Sequence, residues 1–179
     1  VAGSNATIAV TFSEAVFANT DSSGALLVSD FTLSSSSGTA TVNATPSSIA
    51  ISGNVYTLGL NLTGTADGTE VITVVPSSAS AIYNSQDEPA STTQSNNTVT
   101  LNDKTAPLIT SGTTGTNLSE NSGSAQTVYT ITASDAVGAT SFAIAGTDAS
   151  ALTVNSGSGV VTLNVNPDYE TKNSYSFTV

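Results

Sequence analysis

The chain has 179 residues, of which 13 are acidic against two lysines, Lys104 and Lys172, for a net charge of −11. Without Cys it has no disulfide and no thiolate zinc site, and without His it lacks the commonest general base. With no Arg, nothing replaces the counterions of a phosphate backbone, and no apolar run reaches membrane-spanning length. Neither nucleic-acid binding nor membrane insertion is expected.

Charged residues are only 8% of the chain, so its polarity comes mainly from Ser, Thr, Asn and Gly. Thr suits strands and the others suit turns. Ile8, Val10 and Phe12 alternate with small or polar neighbours, the period-two mark of a half-buried strand. Val28 to Leu33 is expected to be a second strand, and Thr39 to Thr45 a short third one stopped by Pro46. Ile49 and Ile51 form an apolar pair before a Ser52-Gly53-Asn54 turn. Tyr56, Leu58, Leu60 and Leu62 give the clearest alternation and predict the core face of one strand. Ala66-Asp67-Gly68 turns the chain, Glu70 to Val75 returns, and the pair predicts a β-hairpin. Pro76 to Pro89 is a loop carrying Ile82-Tyr83, and Thr98 to Leu101 closes the first set of strands.

Pro107 ends a joint, because it cannot donate a backbone hydrogen bond and pushes Ala106 toward extended conformation. Two domains follow, 1–104 and 105–179. In the second, Val128 to Ala133 and Phe142 to Ile144 are expected strands. Leu152 and Val154 lead into an Asn155–Gly159 turn, and Val161, Leu163 and Val165 alternate beyond it. Tyr175, Phe177 and Val179 alternate to the end. Both halves predict all-β sandwiches.

The segments Thr11-Phe12-Ser13-Glu14-Ala15-Val16, Asp67-Gly68-Thr69-Glu70-Val71 and Asn102-Asp103-Lys104-Thr105-Ala106-Pro107 resemble bacterial immunoglobulin-like repeats of large surface proteins. The second half resembles bacterial cadherin-like repeats. The matching pieces are Ser119-Glu120-Asn121, Ala133-Ser134-Asp135, Gly159-Val160-Val161 and Asp168-Tyr169-Glu170 before Tyr175. The resemblance implies two tandem immunoglobulin/cadherin-like Greek-key β-sandwiches, the second of seven strands in its family, with calcium bound between successive repeats. It implies that Glu120, Asp168 and Glu170 face the next repeat, and that Asp135 and Asp103 face the first module. Asn102 could add an oxygen. Where the family often has a further aspartate, this chain has Val137. The family's last strand would follow Val179, and the first module has little room before Ile8 for an opening strand. Both ends are therefore expected to be cut from a longer chain, or completed by a neighbouring copy.

Two carboxylates one residue apart on an extended chain point the same way, which brings Asp168 and Glu170 together. Held together, like charges are costly without a cation or solvent between them. For Asp103 and Asp135, calcium and plain solvation both stand open. For Asp21, Asp30, Asp67, Glu70 and Asp148 the expectation is a solvated charge, with Asp67 serving its own turn.

Glu120 and Glu170 could flank a sugar as glycosidase carboxylates do. The chain lacks the aromatics, Arg, His and Trp that build such a pocket, so no enzyme is expected. Sequons at Asn5, Asn43, Asn61, Asn96 and Asn117 are those a chain rich in Asn, Ser and Thr contains by chance. The function expected is that of spacer modules in a repetitive secreted or cell-surface adhesin or filament, stiffened by calcium. The expected partners are neighbouring repeats and other copies of the chain. A glycan- or protein-binding module and a fibre built by strand complementation are the alternatives.

Overall fold

In a computed structural model that describes residues 1–139 and 141–179, the chain divides into two compact units, Val1–Thr105 and Ala106–Val179. Both are all-β, and the described residues contain no helix beyond single 3-10 turns.

The first unit is a sandwich. One sheet runs in the order β1 (Thr7–Thr11), β5 (Val55–Gly59), β4 (Ile49–Ser52), and the facing sheet runs β2 (Phe31–Ser36), β7 (Val71–Pro76), β8 (Thr98–Thr100), all antiparallel. The chain crosses between sheets after β1, before β4 and after β5. A small ladder of β3 (Thr41–Val42) with β6 (Leu62–Thr63) lies beside those crossings. Alternation decides what is buried. Ile8, Tyr56 and Leu58 from one sheet meet Phe31, Leu33, Ile72 and Val74 from the other. The Tyr56 ring stands edge-on to Phe12 at 5.3 Å and lies 6.2 Å from Phe31, so the aromatics tie the two sheets together.

Three local expectations are corrected. Val28–Asp30 forms a 3-10 turn rather than the start of a strand. Asp30 accepts the Leu27 N–H at 2.7 Å, which closes the turn and delays β2 to Phe31. The expected Thr39–Thr45 strand shrinks to Thr41–Val42. The Leu58/Glu70 hairpin does not exist: β5 pairs with β1 and β4, whereas β7 pairs with β2 and β8. The hairpin is instead β4–β5 around Gly53-Asn54, with Ser52 opposite Val55. The ladder ends at Gly59, and the chain passes through Leu60 to β6 in a different pairing. Leu60 and Leu62 keep the parity of Tyr56 and Leu58, so the pattern continues across a change of sheet.

Glu70 is the largest surprise of the unit. It is 0% exposed rather than solvated. Its Oε1 accepts the N–H of Thr39 at 2.9 Å and of Ala40 at 2.8 Å, and its Oε2 accepts those of Asp67 at 3.1 Å and Gly68 at 3.2 Å. One carboxylate thus ties the turn before β3 to the turn before β7. Any side chain at Gly38, whose φ is +64°, would fall on that carboxylate. Asn5, also buried, does similar work at the other end of the unit. Its Oδ1 accepts the Asn102 N–H at 2.9 Å and its amide donates to the Asn102 carbonyl at 2.6 Å. The Asn5 sequon is therefore closed to modification in the folded state.

The second unit has a sheet β10 (Gln126–Thr130), β13 (Val160–Leu163), β12 (Leu152–Val154) and a short pair β9 (Leu108–Ile109) with β11 (Ala133–Ser134). The run expected as one strand, Val128 to Ala133, is divided between the two. A bulge at Val128 shifts the register within β10, and Thr116 donates to the Val128 carbonyl at 2.6 Å. Ile131, Leu152, Val161 and Leu163 form the core, with Phe142, Ile144, Tyr175 and Phe177 packed on it. Phe142, Ile144, Tyr175 and Phe177 pack as expected but form no regular ladder, whereas Val179 is 45% exposed. The two segments are joined by one isolated bridge, Ala145 to Thr178. Val165 is 47% exposed, so the alternation of β13 stops at Leu163. Among the described residues no helix is long and apolar enough to cross a membrane.

Burial pushes the Glu70 pKa up, but the N–H groups of Ala40, Glu70, Asp67 and Thr39 together pull it down further, so it lies below its ordinary value. A carboxylate with a lowered folded pKa contributes stability above its unfolded pKa and loses it as pH falls through the folded one. Glu70→Gln presents an NH2 group to N–H donors. It should cost roughly 1–3 kcal/mol in urea unfolding at neutral pH, with the difference from the natural chain shrinking in acid. Equal acid sensitivity of the two proteins would contradict this account.

Candidate metal centre

The local structure that places the acidic residues of the second unit is a set of turns. After β13, the chain leaves the sheet through Asn166 and Pro167. Asp168 then opens a turn in which its carbonyl accepts the Lys172 N–H at 2.9 Å. Its side chain accepts the Thr171 N–H at 3.0 Å on Oδ1 and the Thr171 hydroxyl at 2.8 Å on Oδ2. The segment is therefore not extended, as the sequence reading supposed. Asp168 and Glu170 come together because the chain turns between them, not because alternate side chains share a face.

Glu120 arrives from a second loop stitched to the first. Asn121, at a φ of 58°, donates its N–H to the Pro167 carbonyl at 2.9 Å. Asn166 Oδ1 accepts the Gly123 N–H at 2.7 Å, and the Asn166 amide donates to Asn121 Oδ1 at 3.3 Å. These bonds bring Glu120, Asp168 and Glu170 into one exposed group in which one carboxylate oxygen from each lies within 4.8 Å of the others. Calcium oxygens sit about 2.3–2.6 Å from the ion, so two ligands of one ion are at most about 5 Å apart. The three carboxylates meet that limit. They supply fewer than the six to eight oxygens calcium takes, so water or another module would complete the shell.

The electrostatics fit the same group. The Thr171 hydroxyl, then the Thr171 N–H, hold the Asp168 carboxyl below its ordinary pKa, with a smaller contribution from the Glu170 N–H and some opposition from burial. Asp168 is thereby kept as the anion a hard cation needs. The nearest lysine in sequence, which lines the same cleft as Glu120 and Asp168, is ion-paired with a different carboxylate. Lys172 Nζ lies 2.7 Å from Asp148 Oδ1 and 5.3 Å from the centroid of the Tyr175 ring. Asp148 is accordingly not the solvated charge expected. The Lys172 bond, then the Ser176 N–H on its Oδ2 at 2.7 Å, lower its pKa. A cleft of about 630 Å³ in this unit is lined by Leu118, Val128, Tyr175 and Phe177, with Glu120 and Asp168 among its polar residues.

The other nominated ligands lie elsewhere. In the first unit, Asp103 Oδ1 accepts the Thr105 N–H at 2.8 Å and the Thr105 hydroxyl at 2.7 Å. Asn102 turns its amide nitrogen to Asn5 Oδ1 at 3.0 Å and to the Ala2 carbonyl at 3.1 Å. In the second unit, Asp135 Oδ1 accepts the Val137 N–H at 3.0 Å, a local turn in which Val137 is 56% exposed. Among the described residues, the Glu120, Asp168 and Glu170 group is the one cluster of three or more candidate ligands. Sequence reasoning missed Asn166 and Thr171, which hold that group. An Asp followed three residues later by Thr is a turn signal that pointed to Thr171.

No protein-family model matches the chain, and no curated protein matches it. Among solved structures it is similar to the protocadherin gammaB4 extracellular domain, at 19% identity and a TM-score of 0.35, over 80% of this chain and 23% of that one. It is also similar to protocadherin gammaB2 extracellular cadherin domains 3–6, at 18% identity and a TM-score of 0.34, over 80% of this chain and 35% of that one. The chain thus spans well under two thirds of either protein.

The stitching predicts that Asn166→Ala loosens the Glu120 loop from the Asp168 turn while leaving the β12–β13 ladder intact. Amide exchange at Asn121 and Gly123 should then accelerate about tenfold or more, with Val161 and Leu163 unchanged. Unaltered protection at Gly123 would show that Asn166 does not hold the loop.

Proposed function

We propose that the chain is a pair of spacer modules from a repetitive extracellular or cell-surface bacterial protein, without enzymatic activity. In this reading calcium at the end of the second module stiffens the junction with whatever follows. The observation that carries it is the convergence of Glu120, Asp168 and Glu170 carboxylate oxygens within 4.8 Å, on loops cross-linked by Asn121 and Asn166. Three anions at that spacing repel one another and gain from a divalent ion, while Lys172 is engaged with Asp148. A cation at this point would join two loops that otherwise depend on a few exposed hydrogen bonds. In this reading the calcium is structural. Asp103, Asn102 and Asp135 are carried in the same proposal as candidate calcium ligands.

Calcium should raise the melting temperature of the second unit and a chelator should reverse the change. Glu170→Gln should weaken binding about tenfold or more in calorimetric titration, because it removes one of three anionic ligands. Magnesium, which demands a tighter octahedral shell, should do less. A melting temperature indifferent to millimolar calcium in the natural chain would remove the calcium part of this reading.

A further inference from the structure

The edge strand β4 of the first unit is short, and Pro46 and an irregular pairing of Ser47 and Ser48 with Gly59 precede it, but its own four residues carry no further protection against pairing. It is hydrogen-bonded to β5 alone. In a two-residue hairpin the residues flanking the turn bond each other, here Ser52 with Val55, and the next bonded pair is Ala50 with Thr57. The N–H and C=O groups of Ile49 and Ile51 therefore point to the open side. Ile51 lies opposite the core residue Tyr56, on the inward face of its sheet, yet is 46% exposed because no strand lies beyond it. The strand reads Ile-Ala-Ile-Ser, with no charge, proline or bulge. Edge strands of that kind are templates for another strand.

We propose that β4 is a pairing edge for a second copy of this chain, forming a two-fold sheet continued across the two molecules. Two features select a copy over another partner. The Ile49-Ala50-Ile51 triplet is its own antiparallel complement. With Ala50 opposite Ala50 on the two-fold axis, each Ile49 bonds the other copy's Ile51, and all four isoleucines share one face. Charge makes the second argument. No charged residue occurs from Phe31 to Ala66 in a chain whose net charge is −11. Two copies repel over most of their sequence, and β4 lies at the middle of the stretch where they do not. Such a contact is far smaller than the roughly 1,200 Å² of a stable interface, so it is weak between free molecules and gains strength when copies are arrayed side by side. It goes beyond the spacer reading and needs no calcium.

The test uses the 179-residue chain in chelator, followed from micromolar to millimolar by sedimentation and by amide chemical shifts. The expected result is a concentration-dependent dimer, with shifts centred on Ile49, Ala50 and Ile51. Ile51→Lys, outside the packed core, should weaken association about tenfold or more without changing the melting temperature. A strictly monomeric natural chain at millimolar concentration would overturn the proposal. So would association untouched by Ile51→Lys, shifts confined to other residues, or a dimer that forms only with calcium. Loss of calcium binding would sink the spacer reading's ion and leave this one standing.

Discussion

Short strands leave much of a backbone without ladder partners, and in this protein side-chain oxygens supply them. The strands here run from two to six residues, so turns and crossings hold a large share of the N–H groups. A buried N–H without an acceptor costs about 1–3 kcal/mol, a demand that Glu70 meets inside the first unit, while most of the other side-chain-closed turns are exposed. Glu70 accepts from two separate turns at once. Asp30, Asp67, Asp103, Asp135 and Asp168 each close a turn of their own, and Asn84 and Asn155 do the same with two N–H groups each. The acidity of the sequence is thus partly architectural. Many of its anions are fixed by backbone N–H groups.

That use of oxygen explains which parts of the molecule were legible in the sequence. The core was: Ile8, Tyr56, Leu58, Ile72, Val161 and Leu163 are buried because period-two alternation leaves no other face for them. The pairing was not. Tyr56 to Leu62 alternates without interruption, yet the ladder stops at Gly59, because parity says which face a residue takes and nothing about which strand lies beside it. Glu70 read as an exposed charge because its four donors come from residues 39, 40, 67 and 68, two of them distant in sequence. Its burial follows from a tertiary arrangement that no local pattern carries.

The candidate site shows the same division. Glu120, Asp168 and Glu170 were nominated by resemblance and do converge. The reason offered for Asp168 and Glu170, an extended strand, was wrong. A turn closed by Thr171 on the Asp168 carboxylate does the work. Asp103 and Asp135 have the residue type a metal needs, but among the described residues neither belongs to a cluster of three candidate ligands. Residue type was visible from spacing, whereas the second carboxylate that would mark a site was not, since proximity across loops depends on bonds such as Asn166 to Gly123.

The charge map separates two kinds of contact. Under the spacer proposal, a contact built on the acidic group of the second unit would respond to calcium and to chelation. The stretch around β4 carries no charge and offers main-chain groups and isoleucine, so a contact there is insensitive to divalent ions and only weakly sensitive to salt. If both proposals hold, a strongly acidic chain would meet its neighbours by two chemically independent routes. Neutral hydroxyl-rich strands are what permit this. Ser34, Thr73 and Thr98 lie in register on the second sheet, where lysines and glutamates are commonplace, and they keep strand propensity without adding charge.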